Sequence, residues 1–331
     1  MPPVETSARP LSAPAYHPAT SPTPSVHSPQ RARLRRGLTI AGFLLPALLL
    51  FVGLVLLPIV LAIYTSLFKW NGFGGLPTRF VGLDNFVRLL SDEVFQGDLK
   101  RGLVLVLLSV LVQLPVALGL ALLLNQQLRF RGLYRLIFFA PYVLSEVITG
   151  VLFTMVLSPT GGLVNQIFGL FGASGQTWLA DPESALLTLF CVVSWKYFGF
   201  HMILMLAGRQ DIPPELDEAG MMDGASRWQI FRHITLPLLG PTIRISAFLS
   251  IIGAIQLFDM VWVLTGGGPI HSSETMAVTM FQYGFKRYEV GYASAISVAM
   301  FMISLVFALV YQRFVLRRDL EGAVTSVGGK R

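Results

Sequence analysis

Three ionisable residues lie inside long apolar runs of this chain: Glu146, Lys196 and Asp259. Charged groups at membrane depth are costly, and they usually face one another or a water-filled cavity. They indicate either a polar path for a transported ligand or a neutralising pair, for instance Lys196 with Asp259 or Glu146, that holds helices in register. We expect at least one of the three to line a transport path.

Aromatic side chains accompany Lys196 in the segment SWKYFGFHM at 194–202. Trp195 and Phe200 offer flat apolar faces on which the C–H face of a pyranose ring can stack, while amides and charges bind its hydroxyls. The alternative, which the residues alone favour, is that these rings face lipid or neighbouring helices. His201 is predicted to be a packing residue with a satisfied ring rather than a ligand.

A hydrophilic segment, DEAGMMDGASRWQIFRHITLPL at 217–238, interrupts the apolar runs. Pro214 suits the first turn of a helix, and Gly224 can adopt the left-handed conformation that closes one. Ser226 then follows as an N-cap, with Gln229 at the position that completes a capping box. The pattern predicts two short amphipathic helices joined by a glycine elbow. Such a pair either lies on lipid headgroups or is bound by a partner protein.

The composition indicates what surrounds these elements. The 331 residues are 53% hydrophobic and 13% charged, with a mean hydropathy of +0.64, whereas soluble domains carry about a quarter charged residues. The apolar surface therefore requires a bilayer. The single cysteine, Cys191, excludes an intrachain disulfide and a cysteine-based metal site. The net charge of +7 reflects arginines that flank membrane spans, because no soluble domain remains to bind nucleic acid.

The apolar runs define the architecture. A helix needs about 20 apolar residues to cross a bilayer. Six runs qualify: 38–64, 102–125, 133–157, 185–207, 241–264 and 291–314. We predict an all-α membrane protein with a six-helix transmembrane domain over 31–320. A Pro/Ser-rich tail at 1–30, expected to be disordered, precedes it, and a short tail at 321–331 follows.

Lysine and arginine counts predict the orientation of these spans. With a cytoplasmic N-terminus, the inside segments carry sixteen basic residues and the outside loops carry seven. Both termini are therefore expected to be cytoplasmic, and the loop 208–240 is expected to face the cytosol. Lys100 and Arg101, on the outer side, run against the rule.

The hydrophilic segment also resembles a known motif. In the EAA loop of ABC importer permeases, Glu-Ala-Ala is followed at fixed intervals by Gly and by Ile-x-Leu-Pro. Here the matching residues are Glu218-Ala219-Gly220, then Gly224 after three residues, then Ile234-x-Leu236-Pro237 after nine more. Gly220 replaces the second alanine. Four further segments are similar to the carbohydrate-importer branch, the relatives of the maltose permease: FVGLDNF at 80–86, FFAPYVLS at 138–145, LTGGGP at 264–269 and GYASA at 291–295.

The resemblance implies a non-enzymatic permease subunit of a sugar importer, which holds no cofactor itself and works with partner proteins. It implies a second homologous permease, an ATP-binding-cassette ATPase dimer that binds the ATP, and an extracytoplasmic solute-binding protein. The implied ATPase-coupling residues are Glu218, Ala219, Gly220, Asp223, Gly224, Ile234, Leu236 and Pro237, the last three fixing the loop to the fifth span. The substrate-path candidates are Trp195, Lys196, Phe200, Gln256, Asp259 and Glu146.

Other classes of function are less well supported by the residues. No GxxxxGK[ST] occurs, so the chain has no phosphate-binding loop of its own. No HExxH occurs either, and GASGQ at 172–176 departs from GxSxG, which argues against a membrane enzyme. The alternative is an ion-coupled secondary transporter that uses Glu146, Lys196 and Asp259. Such folds usually show internal repeats with broken helices, and the two halves here show no convincing self-similarity.

Overall fold

The structure, a computed structural model, describes residues 29–126, 128–172 and 174–316. The predicted tails at 1–30 and 321–331 lie outside these residues, apart from the last two residues of the first, which begin a helix. Within the described ranges the regular structure is helical, and the one β-bridge pairs Phe68 with Phe80. The prediction of an all-α chain is confirmed for these ranges.

The chain divides into two compact units, residues 1–57 and 58–331. The described part of the first unit is helix α1 (Pro29–Phe51), which continues into a π-helical turn at Val52–Leu56. The second unit holds the remaining helices, and its first helix begins at the boundary. They are α2 (Leu57–Ser66), α3 (Asp84–Ser91), α4 (Glu93–Leu108), α5 (Leu114–Asn125), α6 (Arg131–Val143), α7 (Glu146–Val156), α8 (Leu163–Leu170), α9 (Ala185–Gln210), α10 (Pro214–Met222), α11 (Arg227–Ile230), α12 (Leu236–Leu238), α13 (Gly240–Ile255), α14 (Asp259–Leu264), α15 (Met276–Phe281) and α16 (Val290–Tyr311).

Four helices in the described ranges are long and apolar enough to cross a membrane: Ile40–Ser66, Glu93–Asn125, Ala185–Gln210 and Val290–Leu316. Two further helix pairs meet the same criterion but are sharply bent. The first pair is α6 with α7, bent by 98°, and the second joins Arg227–Leu238 to α13 with a bend of 64°. The count is therefore four spans, or six if each bent pair is one span.

Three prolines inside helices, Pro58, Pro115 and Pro237, follow widened turns. The π-helical turns Val52–Leu56, Ser109–Gln113 and Phe231–Thr235 each end two residues before a proline. A proline ring clashes with the carbonyl four residues earlier, and a π turn carries that carbonyl away from the ring. Pro237 therefore does not end its helix, which runs on to Leu238.

Two of the predicted spans are not continuous helices. The run 133–157 breaks at Leu144 and Ser145, and the run 241–264 breaks at 256–258. Pro141 lies in the last turn of α6, where it weakens continuation of the helix. At the second break the hydroxyl of Thr275 donates to the Leu257 carbonyl over 2.8 Å, which satisfies a group that the helix no longer uses. Apolar residues continue through both breaks, so hydropathy does not reveal them.

Glycines bring the broken helices into close contact with their neighbours. A Cβ added at Gly199 of α9 would lie 1.9 Å from the Phe138 carbonyl oxygen of α6. A Cβ at Gly150 of α7 would lie 2.6 Å from Cγ1 of Val263 in α14. Neither position has room for a larger residue. The two contacts fix α6 against α9 and α7 against α14.

A cluster of polar and aromatic groups joins α3 and α4 to the start of α16. The Asp92 carboxylate accepts hydrogen bonds from the Tyr292 hydroxyl at 2.6 Å and the Val94 main-chain N–H at 2.9 Å. The Arg88 guanidinium lies 4.0 Å from the centre of the Tyr292 ring. Burial alone would raise the pKa of Asp92, but the hydrogen bonds from Tyr292 and Val94 outweigh it and lower the pKa.

Candidate functional site

A cavity of about 390 Å³ lies in the second unit, within the range of small-molecule binding sites. It is enclosed by α4, α6, α7, α9, α13 and α14 and by the turn that follows α4. Its lining residues are Leu105, Ser109, Gln113, Tyr142, Glu146, Phe190, Val193, Tyr197, Phe200, His201, Leu249, Ser250, Gly253, Ala254, Gln256, Leu257, Phe258 and Asp259.

The two helix breaks place the carboxylates of the cavity. Glu146 is the first residue of α7, and Asp259 is the first residue of α14. A carboxylate in the first turn of a helix is favoured by the helix dipole. The Tyr197 hydroxyl donates a hydrogen bond to Oε1 of Glu146. The breaks thus bring two acidic residues, distant in sequence, to the wall of one cavity.

Aromatic rings form part of the same wall. The rings of Tyr142 and Phe200 are stacked, with centroids 4.9 Å apart and an interplanar angle of 21°. Tyr197 meets Tyr142 edge to face at 6.0 Å. One face of Phe200 is therefore covered by Tyr142. The wall combines apolar ring surface with phenolic hydroxyls, a combination that suits a ligand with both C–H faces and hydroxyl groups.

Further polar groups of the wall come from the turn after α4, from α9, from α13 and from the break after α13. Gln256 follows the last residue of α13 and lines the cavity. The Ser250 hydroxyl is buried and has no hydrogen-bond partner among the described residues. His201 is buried, and its Nδ1 lies 2.7 Å from the Ser246 hydroxyl, so one nitrogen of the ring has a partner. That the residue serves packing rather than ligand binding stays a prediction. Its ring also borders the cavity.

Two of the substrate-path candidates lie outside the lining of this cavity. Trp195 packs edge to face on Phe153, with centroids 5.0 Å apart. Lys196 is buried, and its ammonium donates to the main-chain carbonyls of Tyr142, at 3.4 Å, and Leu144. These carbonyls belong to the end of α6, where no further helical turn satisfies them. Lys196 thus caps the helix break that precedes Glu146.

Helical spacing reveals residues that composition alone did not single out. Phe190, Val193, Tyr197 and Phe200 recur at intervals of three and four residues on α9 and all line the cavity. Trp195 and Lys196 fall outside this stripe. Counting back from Phe200 by helical periodicity would have selected Tyr197 in place of Trp195. The positions of Tyr142 and Ser250 at the cavity had no comparable signal.

The hydrophilic segment folds into the two helices that its sequence predicts. Helix α10 begins at Pro214, and Gly224 has a φ of +79°, in the left-handed region. The Ser226 hydroxyl accepts from the Gln229 main-chain N–H, and the Gln229 side-chain oxygen accepts from the Ser226 main-chain N–H, so the capping box is confirmed. The two-helix elbow is therefore an intrinsic feature of the chain.

The motif residues of this elbow fall into an outer and an inner group. Glu218, Ala219, Asp223 and Gly224 are exposed. Gly220 is buried, and a Cβ there would lie 3.2 Å from both Cγ1 of Ile230 and Cδ1 of Ile234. The small residue at 220 and the isoleucine at 234 therefore pack the two helices together. Exposed methionines, Met221 and Met222, extend the outer group.

The elbow is attached to the rest of the second unit at both ends. The Arg209 guanidinium, near the end of α9, forms an ion pair with the Asp217 carboxylate of α10. At the other end Leu236 is partly buried, Pro237 is exposed and Leu239 is fully buried. The elbow is therefore joined to α9 at one end and to α13 at the other.

Comparisons with known proteins place this site in context. Residues 113–319 match the family described as binding-protein-dependent transport system inner membrane component. The chain is 36% identical to a probable ABC transporter permease of Pyrococcus horikoshii, covering 81% of this chain and 92% of that protein. It is 34% identical to the trehalose/maltose transport system permease of Thermococcus litoralis, covering 81% and 90%. Its fold matches a chain of a bacterial ABC transporter that imports the acidic polysaccharide alginate, with a TM-score of 0.76, 26% identity and coverage of 87% and 98%.

Proposed function

We propose that this chain, which belongs to the family of binding-protein-dependent transport system inner membrane components, passes a sugar through the cavity between its broken helices. The chain is a permease of an ABC importer and a multi-pass component of the inner membrane. The trehalose/maltose relative and the alginate importer both carry carbohydrates. We infer a carbohydrate substrate here too, in the form of an oligosaccharide.

The observation that carries the proposal is the lining of the cavity. Tyr142, Tyr197 and Phe200 supply ring surface, while Gln256 and Glu146 supply hydrogen-bonding groups. A sugar ring needs this combination, because its C–H face is apolar and its hydroxyls must replace their bonds to water. Asp259 and the unpartnered Ser250 hydroxyl add further sites for hydroxyl groups.

The second part of the proposal is that the elbow at 208–240 couples this cavity to ATP hydrolysis. The exposed residues Glu218, Ala219, Asp223 and Gly224 would contact an ATP-binding-cassette ATPase, which binds the ATP. Gly220 and Ile234 would keep the two helices rigid, and Leu236 and Pro237 would join them to α13. Rigidity matters, because a movement of the ATPase reaches the cavity only if the elbow does not bend.

Topology and partners complete the proposal. We infer six spans, with α6 and α7 forming one and α13 and α14 forming another. Both termini and the elbow then lie in the cytosol, on the excess of basic residues in the segments assigned to that side. The loops at 65–101 and 265–290 would then receive the extracytoplasmic solute-binding protein. A second, homologous permease would supply the other half of the path.

The experiment that tests the path uses Gln256→Leu, which keeps most of the side-chain volume and removes the amide. Sugar uptake by the assembled transporter should fall at least tenfold, because a hydroxyl loses its partner in a buried site, while the amount of assembled complex stays constant. The control is Gln166→Leu, at an exposed position outside the cavity lining. Equal uptake by the Gln256→Leu and wild-type transporters would contradict the assignment.

A further inference from the structure

The cavity wall carries an uneven charge. Its lining includes two carboxylates, those of Glu146 and Asp259, and no lysine or arginine among the described residues. Lys196 interacts electrostatically with Glu146 but lies behind the wall. Its ammonium donates hydrogen bonds to the carbonyls of Tyr142 and Leu144. An occupant of the cavity therefore meets two acidic groups directly and no free cation.

The hydrogen-bonding chemistry of the wall has the same bias. An ionised carboxylate is only an acceptor, so Glu146 and Asp259 can bind hydroxyl or ammonium donors but not a second carboxylate. Anion recognition normally uses arginine or lysine, which pair with carboxylate and sulfonate groups. Gln256 and Ser250 can donate, but they carry no charge to offset the two carboxylates.

We propose that Glu146 and Asp259 make the path selective for sugars that are uncharged or carry an ammonium group, and that they exclude anionic sugars such as uronates. This inference rests on the proposed function of the cavity. A unit anion about 5 Å from one carboxylate, at an effective dielectric constant of about 20, binds more weakly by a factor on the order of a hundred. The alginate importer, which shares the fold, carries an acidic polysaccharide, so the charge of the sugar is not set by the fold.

The charge of the cavity can be measured with thiol reagents in the complete transporter. In a Cys191→Ala background, Ser250→Cys places a thiol in the cavity with little change in shape. The reaction rates of a cationic trimethylammonium and an anionic sulfonate methanethiosulfonate are then compared. Thr160→Cys, exposed and outside the cavity lining, is the reference. If Ser250→Cys disturbs assembly, Ala254→Cys on the same wall replaces it.

We expect the ratio of cationic to anionic rates to be at least about tenfold higher at position 250 than at position 160. The double substitution Glu146→Gln with Asp259→Asn should remove most of this difference. Glu183→Gln, which changes an exposed carboxylate outside the cavity lining, should leave it unchanged. Equal ratios at 250 and 160 would overturn the proposal, since they would mean that the cavity has no excess negative charge in the complete transporter.

Uptake measurements distinguish failure of the charge selectivity from failure of the proposed function. ATP-driven accumulation of digalacturonate by the wild-type transporter would overturn the charge selectivity while leaving a carbohydrate path intact. Conversely, if modification of the thiol at position 250 leaves uptake of the transported sugar unchanged, the cavity is not the path, whatever its charge. A cation-selective rate ratio together with no accumulation of digalacturonate supports the proposal.

Discussion

Gly224 offers a test of the proposal that the elbow couples the cavity to an ATPase, because backbone and surface effects can be separated there. Its φ of +79° lies in the left-handed region, and an added Cβ would meet nothing within 4 Å in this chain. Alanine there costs about 1–2 kcal/mol of backbone strain but introduces no clash. That cost corresponds to a factor of roughly 5–30 in the population of the native elbow. Asparagine tolerates the left-handed region better but is larger.

Two hypotheses about the elbow therefore predict a different order of effect for these two substitutions. If only the elbow conformation matters, Gly224→Ala impairs coupling more than Gly224→Asn. If an ATPase surface packs on the elbow, Gly224→Asn is the more harmful, because its side chain occupies space that is open in this chain. We expect the second result. The assay is ATPase activity of the assembled transporter in lipid, with and without its loaded binding protein. Full stimulation in both variants would refute the assignment of the elbow as the coupling element.

Three further predictions concern individual contacts. Gly220→Leu should overpack the contact with Ile230 and Ile234 at a cost of about 1–3 kcal/mol and reduce stimulated ATPase activity, whereas Gly220→Ala should be nearly silent in that assay. Lys196→Met should leave the carbonyls at the end of α6 unsatisfied and lower the free energy of unfolding by about 1–3 kcal/mol. Recovery of the melting temperature in Lys196→Arg, which keeps the donors, would support this role. An unchanged melting temperature in Lys196→Met would exclude it. The lowered pKa of Asp92 gives stability that is fully present above its unfolded pKa of about 3.9 and is lost as the pH falls through the folded pKa. Melting curves of the wild-type and Tyr292→Phe proteins should therefore differ at pH 6 and converge in strong acid. An equal difference at all pH values would contradict this linkage.

The two-helix elbow could be predicted from the sequence more completely than the cavity. The elbow depends on local rules: Gly224 closes one helix and the Ser226–Gln229 capping box opens the next, so both were predictable from neighbours in sequence. The cavity depends on tertiary contacts. The break that presents Glu146 is stabilised by Lys196, some fifty residues away, and the break that presents Asp259 by Thr275. Hydropathy continues unchanged through both breaks, so the two runs predicted there as spans gave no sign that their helices are interrupted.

Periodicity also explains why one substrate-path candidate lines the cavity and its neighbour does not. Phe200 lies on the same stripe of α9 as Tyr197 and borders the cavity, whereas Trp195 points to Phe153. Both residues were chosen as candidates because they are aromatic, but only their positions on the helix tell which one faces the cavity. The role of each residue in transport stays a prediction until uptake is measured.

The most direct test of the central claim is sugar uptake by the complete assembly in proteoliposomes. The assembly comprises this chain, a second permease, the ATPase dimer and the solute-binding protein. We predict that accumulation requires ATP hydrolysis and the binding protein, and that it persists when ionophores abolish the proton and sodium gradients. Uptake driven by an ion gradient without ATP would contradict the account and favour an ion-coupled transporter that uses Glu146, Lys196 and Asp259.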